Sequence, residues 1–161
     1  MAVHEELLQE LQEFARTAPN PTSLMDAMVR RLHEKMARYN WVGFYLVDAH
    51  DPEMLVVGPY VGSFTPNMRI PLDTGLCGAA ARSGRSVVVD DVRNDSRYLA
   101  GSSMVISEIV VPIFANNKLV GELDIESYFP STFSKAEQEF VEACAKIVAA
   151  CLGRVAPSPL K

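Results

Sequence analysis

At 161 residues, with nearly half of them hydrophobic, the chain is long enough for one domain with a substantial core and short for two. A formal net charge of −5 and the absence of any Lys/Arg run argue against a nucleic-acid footprint or a polybasic membrane patch. No apolar run approaches a membrane span, and Met1 to Glu6 is acidic rather than a charged-then-apolar leader, so a soluble cytoplasmic protein is expected.

In chain order, His4 to Arg16 places Leu7, Leu8, Leu11, Phe14 and Ala15 at helical spacing, with glutamates opposite. After a polar break, Asn20 caps and Pro21 opens a second helix running to about Tyr39, its inner face Met25, Met28, Val29, Leu32, Met36 and Tyr39. Such a methionine stripe reads as adaptable core packing. From Trp41 to Val47 the period switches to that of a strand, with Trp41, Gly43 and Tyr45 on one face. Asp48 to Pro52 is a turn, Met54 to Tyr60 the returning strand, Gly62 to Asn67 a polar loop and Met68 to Leu72 a short strand. Asp73 and Thr74 cap a helix from Gly75 to Arg82, in which Gly78 permits a close approach. Ser86 to Val89 is a further short strand, and Arg93 to Ser107 keeps no period. Two strands follow, Glu108 to Phe114 and Lys118 to Ser127, joined by turn residues Ala115, Asn116 and Asn117. Ser134 and Glu137 form a capping box for a last helix to Arg154 that repeats Phe140, Val141, Cys144, Ile147, Val148, Cys151 and Leu152. Residues 1–155 are expected to form a single domain, and 156–161 a disordered tail.

The strand from Lys118 alternates Glu122, Asp124 and Glu126 with Leu123 and Ile125, so three carboxylates share one face. Like charges at this spacing repel, and the face is either solvated or the floor of a pocket for an ammonium or hydroxyl-bearing ligand. Phosphate loops, dinucleotide glycine fingerprints, His-Glu-x-x-His and Gly-x-Ser-x-Gly are all missing from the sequence. His4, His33 and His50 have no neighbouring cysteine or second histidine, and each reads as a surface residue, so no metal site and no cofactor are expected. Cys77, Cys144 and Cys151 are an odd number without a Cys-x-x-Cys pair, which fits reduced thiols. Cys144 and Cys151 share a helix face as buried small hydrophobes. Cys77 lies in the first turn of a helix, where the dipole would lower a thiol's pKa, or it is a small residue packed beside Gly75 and Gly78.

The element order resembles a GAF domain, and several stretches are similar to the free methionine-(R)-sulfoxide reductases. They are Asn40 to Leu46, Gly58 to Gly62, Arg69-Ile70-Pro71, Gly75-Leu76-Cys77-Gly78-Ala79-Ala80, Ser107 to Pro112 and Val120 to Ser127. The resemblance implies an α/β (α+β) fold with a six-stranded antiparallel sheet, terminal helices on one face and a ligand pocket on the other. It also implies ligand contacts from Trp41, Tyr45, Glu108, Asp124 and Glu126. The family attacks the sulfoxide sulfur with a cysteine and resolves the sulfenic acid with others. At the matching positions this chain has Gly101 for the attacking cysteine and Asn67 for a second one, and of the three only Cys77 is kept.

The expectation from this pattern is a sensor-like, signalling GAF protein that binds a free amino acid such as methionine or its sulfoxide, leaning away from an enzyme. The alternative is a reductase in which Cys77 attacks and an external thiol, thioredoxin or glutathione, resolves. A ligand-free dimerisation scaffold is a third possibility, and the amphipathic terminal helices offer a homodimer surface.

Overall fold

Alternation in the last two strands organises the whole molecule. The computed structural model describes residues 2–155, so the expected tail, 156–161, lies outside the described residues. Six strands form one antiparallel sheet: β1 (Trp41–Val47), β2 (Met54–Gly62), β3 (Arg69–Pro71), β4 (Val87–Val89), β5 (Ser107–Ala115) and β6 (Lys118–Ser127), in the order β3-β2-β1-β6-β5-β4. The helices are α1 (Ala2–Thr17), α2 (Pro21–Lys35), α3 (Gly75–Ser83) and α4 (Lys135–Val155).

Because side chains alternate across a strand, the register assigns each residue a face. Val42 and Phe44 of β1, Ile109, Val111 and Ile113 of β5, and Leu123 and Ile125 of β6 point to one side, where α1, α2 and α4 cover them. Leu11, Leu24, Met28, Leu32, Val141, Cys144 and Val148 supply the helical half of this core, and all are buried. Burial pushes the Cys144 thiol up to about 12, so behind the sheet it is inert packing. The opposite face carries α3 and the loops around it. Its cluster joins Trp41, Tyr45, Leu55, Ile70, Leu76, Cys77 and Val110.

Local chemistry sets the joints. Asn116 and Asn117 have φ of 55° and 63°, the left-handed pair that a two-residue hairpin turn demands and that asparagine tolerates best after glycine. Asn20 Oδ1 accepts the Ser23 N–H at 2.9 Å with Pro21 in the first helical position, and Ser134 Oγ accepts the Glu137 N–H at 3.3 Å.

Two expectations are corrected. The second helix stops at Lys35 rather than near Tyr39, because Met36 adopts an extended conformation while its N–H still bonds the Leu32 carbonyl. His33 Nδ1, 2.9 Å from the Tyr39 carbonyl, ties down the reversed chain. His4 is not a surface residue: it is buried, stacks on Phe140 with ring centroids 4.1 Å apart and pairs with Glu137 at 2.7 Å. His33 is half-buried and His50 exposed.

Candidate functional site

The acidic face of β6 is buried, not solvated. Glu122, Asp124 and Glu126 sit in register with Tyr45, Gly43 and Trp41 of β1 and with Pro112, Val110 and Glu108 of β5. Glu108 therefore joins the same face, and all four carboxyls are buried. The register of β1 against β2 shifts between Gly43 and Tyr45, a bulge beside the site. Gly43 gives the Trp41 indole its space, since a Cβ there would lie 2.3 Å from the ring. Gly78 does the same for α3: a Cβ would fall 2.9 Å from the Leu72 carbonyl, so the helix lies tight against its own entry loop and holds Cys77 over the sheet.

Between these parts is a small cavity of about 20 Å³. Glu108, Asp124 and Glu126 line it from the sheet, Tyr45 and Cys77 from its sides, and Phe64, Leu99 and Gly101 from the loops. That is room for a water or so, which means an amino acid enters only as the loop side chains swing away. Gly101 faces the same space as Cys77, and a Cβ there would meet the Phe64 ring at 3.0 Å.

Electrostatics follow from burial and crowding. Burial, then the Asp124 and Glu126 charges, pushes Glu108 well above the usual carboxylate range, and a hydrogen bond with Asp124 holds its proton. Burial raises Asp124 to about 6, opposed by that hydrogen bond. Glu126 is driven well up by burial and then Asp124. All of these carboxyls are thus pushed up by their shared burial, a set fit both to hold protons for donation and, where one ionises, to receive an ammonium group. Oxygens of Glu108, Asp124 and Glu126 approach within 4.8 Å of one another, so they are also the atoms that could gather a hard cation.

Of the two readings of Cys77, the structure meets the packed one and not the lowered thiol pKa. Cys77 is buried, and burial followed by the Asp124 and Glu122 charges pushes it well up, outweighing the helix-start effect. Its Sγ lies 4.0 Å from Asp124 Oδ2, to which the S–H donates.

Of the residues singled out in the sequence, Cys77, Tyr45, Glu108, Asp124 and Glu126 come together around the cavity. Trp41 does not line it. Its indole stacks on Phe64 at 5.8 Å and Tyr60 at 5.6 Å, backing the wall rather than forming it. Phe64 and Leu99 were not anticipated. Each is a large apolar residue in a stretch without period, which was the available signal.

The GAF domain model matches residues 20–152. The chain belongs to the GAF domain family. Within it, the free methionine-R-sulfoxide reductase of Saccharomyces cerevisiae is 36% identical over 110 residues, 68% of this chain and 61% of that protein's length. The chain thus spans under two thirds of that relative. The structure of free methionine-R-sulfoxide reductase from Neisseria meningitidis in complex with its substrate superposes with a TM-score of 0.89 at 32% identity, covering 97% of this chain and 93% of that one. The type II free methionine-R-sulfoxide reductase of Thermoplasma acidophilum gives 0.76 at 34% identity, covering 89% and 96%.

These relatives overturn the expectation of a sensor GAF domain without thiol chemistry, and with it the leaning away from an enzyme, because the proteins matched are named reductases. Glycine at position 101 does not leave the cavity without a thiol. The structure keeps a thiol in that same cavity, on Cys77.

Proposed function

We propose that this GAF domain, residues 1–155, reduces free methionine-(R)-sulfoxide, with Cys77 as the attacking thiol and an external thiol completing the cycle. The observation that carries it is the Cys77 Sγ to Asp124 Oδ2 contact, 4.0 Å, at a cavity whose other carboxyls are held neutral.

Asp124 takes the thiol proton as general base, and Cys77 Sγ bonds to the sulfoxide sulfur. Glu108 or Glu126, still protonated, donates to the sulfoxide oxygen. The oxygen passes to Cys77, giving a sulfenic acid and methionine, so the cysteine sulfur loses the two electrons that the sulfoxide sulfur gains. One reductant thiol then displaces water to form a mixed disulfide, and a second releases Cys77. The substrate ammonium is held by the carboxylate cluster, and the thioether end lies against Tyr45 and Phe64. Trp41 supports this wall by stacking on Phe64. Thioredoxin or glutathione supplies the external thiol, which suits three free cysteines in a reducing cytoplasm. The surface of α1, α2 and α4 serves as a homodimer contact, checked by light scattering.

The test is methionine formation from free methionine-(R)-sulfoxide with dithiothreitol or thioredoxin. Turnover by the wild type that disappears in Cys77→Ser and persists in Cys144→Ser and Cys151→Ser is expected. An inactive wild type, or activity surviving in Cys77→Ser, contradicts the assignment.

A further inference from the structure

Glu108, Asp124 and Glu126 share the cavity with no protein cation to answer them. The register puts Glu108 of β5 directly opposite Glu126 of β6, with Asp124 two residues along on the same face, a placement in which like charges repel. None of the three is in an ion pair among the described residues, and no lysine, arginine or histidine lines the cavity. Their oxygens nevertheless converge, all within 4.8 Å of one another. A separate observation is Asp124 Oδ1. Asp124 is only 3% exposed and lines the cavity, yet this oxygen has no hydrogen-bond partner among the described residues. A buried acceptor left unpaired is costly, and among acidic neighbours it calls for a ligand that brings positive charge.

The space selects which cation. At about 20 Å³ the cavity takes something of a water's size with the loops as they stand, so a bare ion fits where an amino acid needs Phe64 and Leu99 to swing away. Its charged lining is carboxyl alone, and Asn67 and Thr74 add an amide and a hydroxyl. That is a hard oxygen set, beside a Cys77 thiol that hard cations ignore. Calcium accepts about six to eight oxygens at about 2.3–2.6 Å in loose geometry, so oxygens on opposite sides of it stand about 4.8 Å apart, as far as these reach. Magnesium needs a tight octahedron at about 2.0–2.1 Å and keeps several waters, for which the cavity has no room.

We propose that Glu108, Asp124 and Glu126 form a site for a hard divalent cation of calcium's size, which competes with the substrate by occupying the carboxyls that its ammonium would use. The competition rests on the reductase reading, but the cation site does not.

The experiment is calorimetric titration of chelator-treated protein with Ca2+ and, separately, Mg2+ and Zn2+, at about pH 8 so that the ligands bind as carboxylates. Wild type is expected to take up one Ca2+ per chain and to bind Mg2+ about tenfold or more weakly. D124N and E126Q, each of which removes one ligand charge at constant volume, should each weaken Ca2+ about tenfold or more, while E122Q, whose carboxyl lies outside the cavity, keeps it. Two separate variants guard against one that fails to fold. No stoichiometric Ca2+ uptake by wild type, uptake unchanged in both D124N and E126Q, Mg2+ bound as tightly as Ca2+, or uptake of Zn2+ alone that Cys77→Ser abolishes would each overturn the site. In the reductase assay, saturating Ca2+ should raise KM for the sulfoxide and leave kcat unchanged, and an unaltered KM overturns the competition. If wild type fails to reduce the sulfoxide, the reductase reading falls while the Ca2+ titration still decides the site.

Discussion

The two faces of β6 share one backbone and follow opposite rules. Leu123 and Ile125 meet Val42, Phe44 and Ile109 in a dry interior packed against three helices, where every atom removed from water stabilises the fold. One residue along the same backbone, Glu122, Asp124 and Glu126 are as deeply buried, yet Glu122 and one oxygen of Asp124 find no partner among the described residues. Unpaired buried acids oppose folding. The helix face therefore carries the stability that lets the other face hold a reactive, unfavourable set of groups, the usual compromise at a functional site.

The largest effect that would sharpen this contrast is on the helix face. Phe44→Ala should lose about 3–5 kcal/mol, read by urea unfolding, because the cavity it leaves is walled by a rigid sheet and helices. A loss no larger than that of a surface substitution would break the comparison. Next is pH. Asp124 moves from 3.8 to about 6 on folding, so the folded state keeps a proton the unfolded chain gives up. Its contribution is fully present below about pH 4 and is lost as pH rises through about 6, roughly 3 kcal/mol at about 1.4 kcal/mol per unit. Glu108, Glu122 and Glu126, all raised, carry the loss to higher pH. Thermal unfolding should thus show a protein more stable near pH 5 than near pH 8, and a flat or opposite profile would mean the carboxyls are paired as anions.

Replacing Glu122 with leucine should stabilise the chain by on the order of 1–3 kcal/mol, since it removes unpartnered polar atoms from an apolar site. Chemical denaturation checks this, and destabilisation would show that Glu122 has a structural partner. Binding of the substrate should run opposite to folding. An ammonium favours carboxylates, so affinity rises with pH above about 6 and calorimetry in buffers of different ionisation enthalpy registers proton release. The smallest effect lies far from both faces: Ser134→Ala should lose about 1 kcal/mol with the cap of α4 and leave ligand affinity unchanged.

Much of this was legible in the chain. The alternation from Glu122 to Glu126 gave the strand, its two faces and the carboxyls, because period is a local property. The Asn116-Asn117 turn and the caps at Asn20 and Ser134 were likewise local. What escaped depends on tertiary neighbours. The burial of His4 comes from Phe140 and Glu137, far along the chain. Phe64 and Leu99 close the cavity from loops that have no period to read. The raised thiol of Cys77 is the clearest case: sequence reveals the helix start, but the opposing carboxyls arrive from β6 and β5 only in the fold.

The most direct test of the central claim is a single turnover without reductant. Stoichiometric protein is mixed with free methionine-(R)-sulfoxide, released methionine is measured by chromatography, and the cysteine peptides are trapped with a sulfenic-acid reagent and sequenced by mass spectrometry. The account predicts one methionine per active chain and one trapped sulfenic acid on Cys77. Methionine without modification of Cys77, an oxygen found on Cys144 or Cys151, or no methionine at all would contradict it.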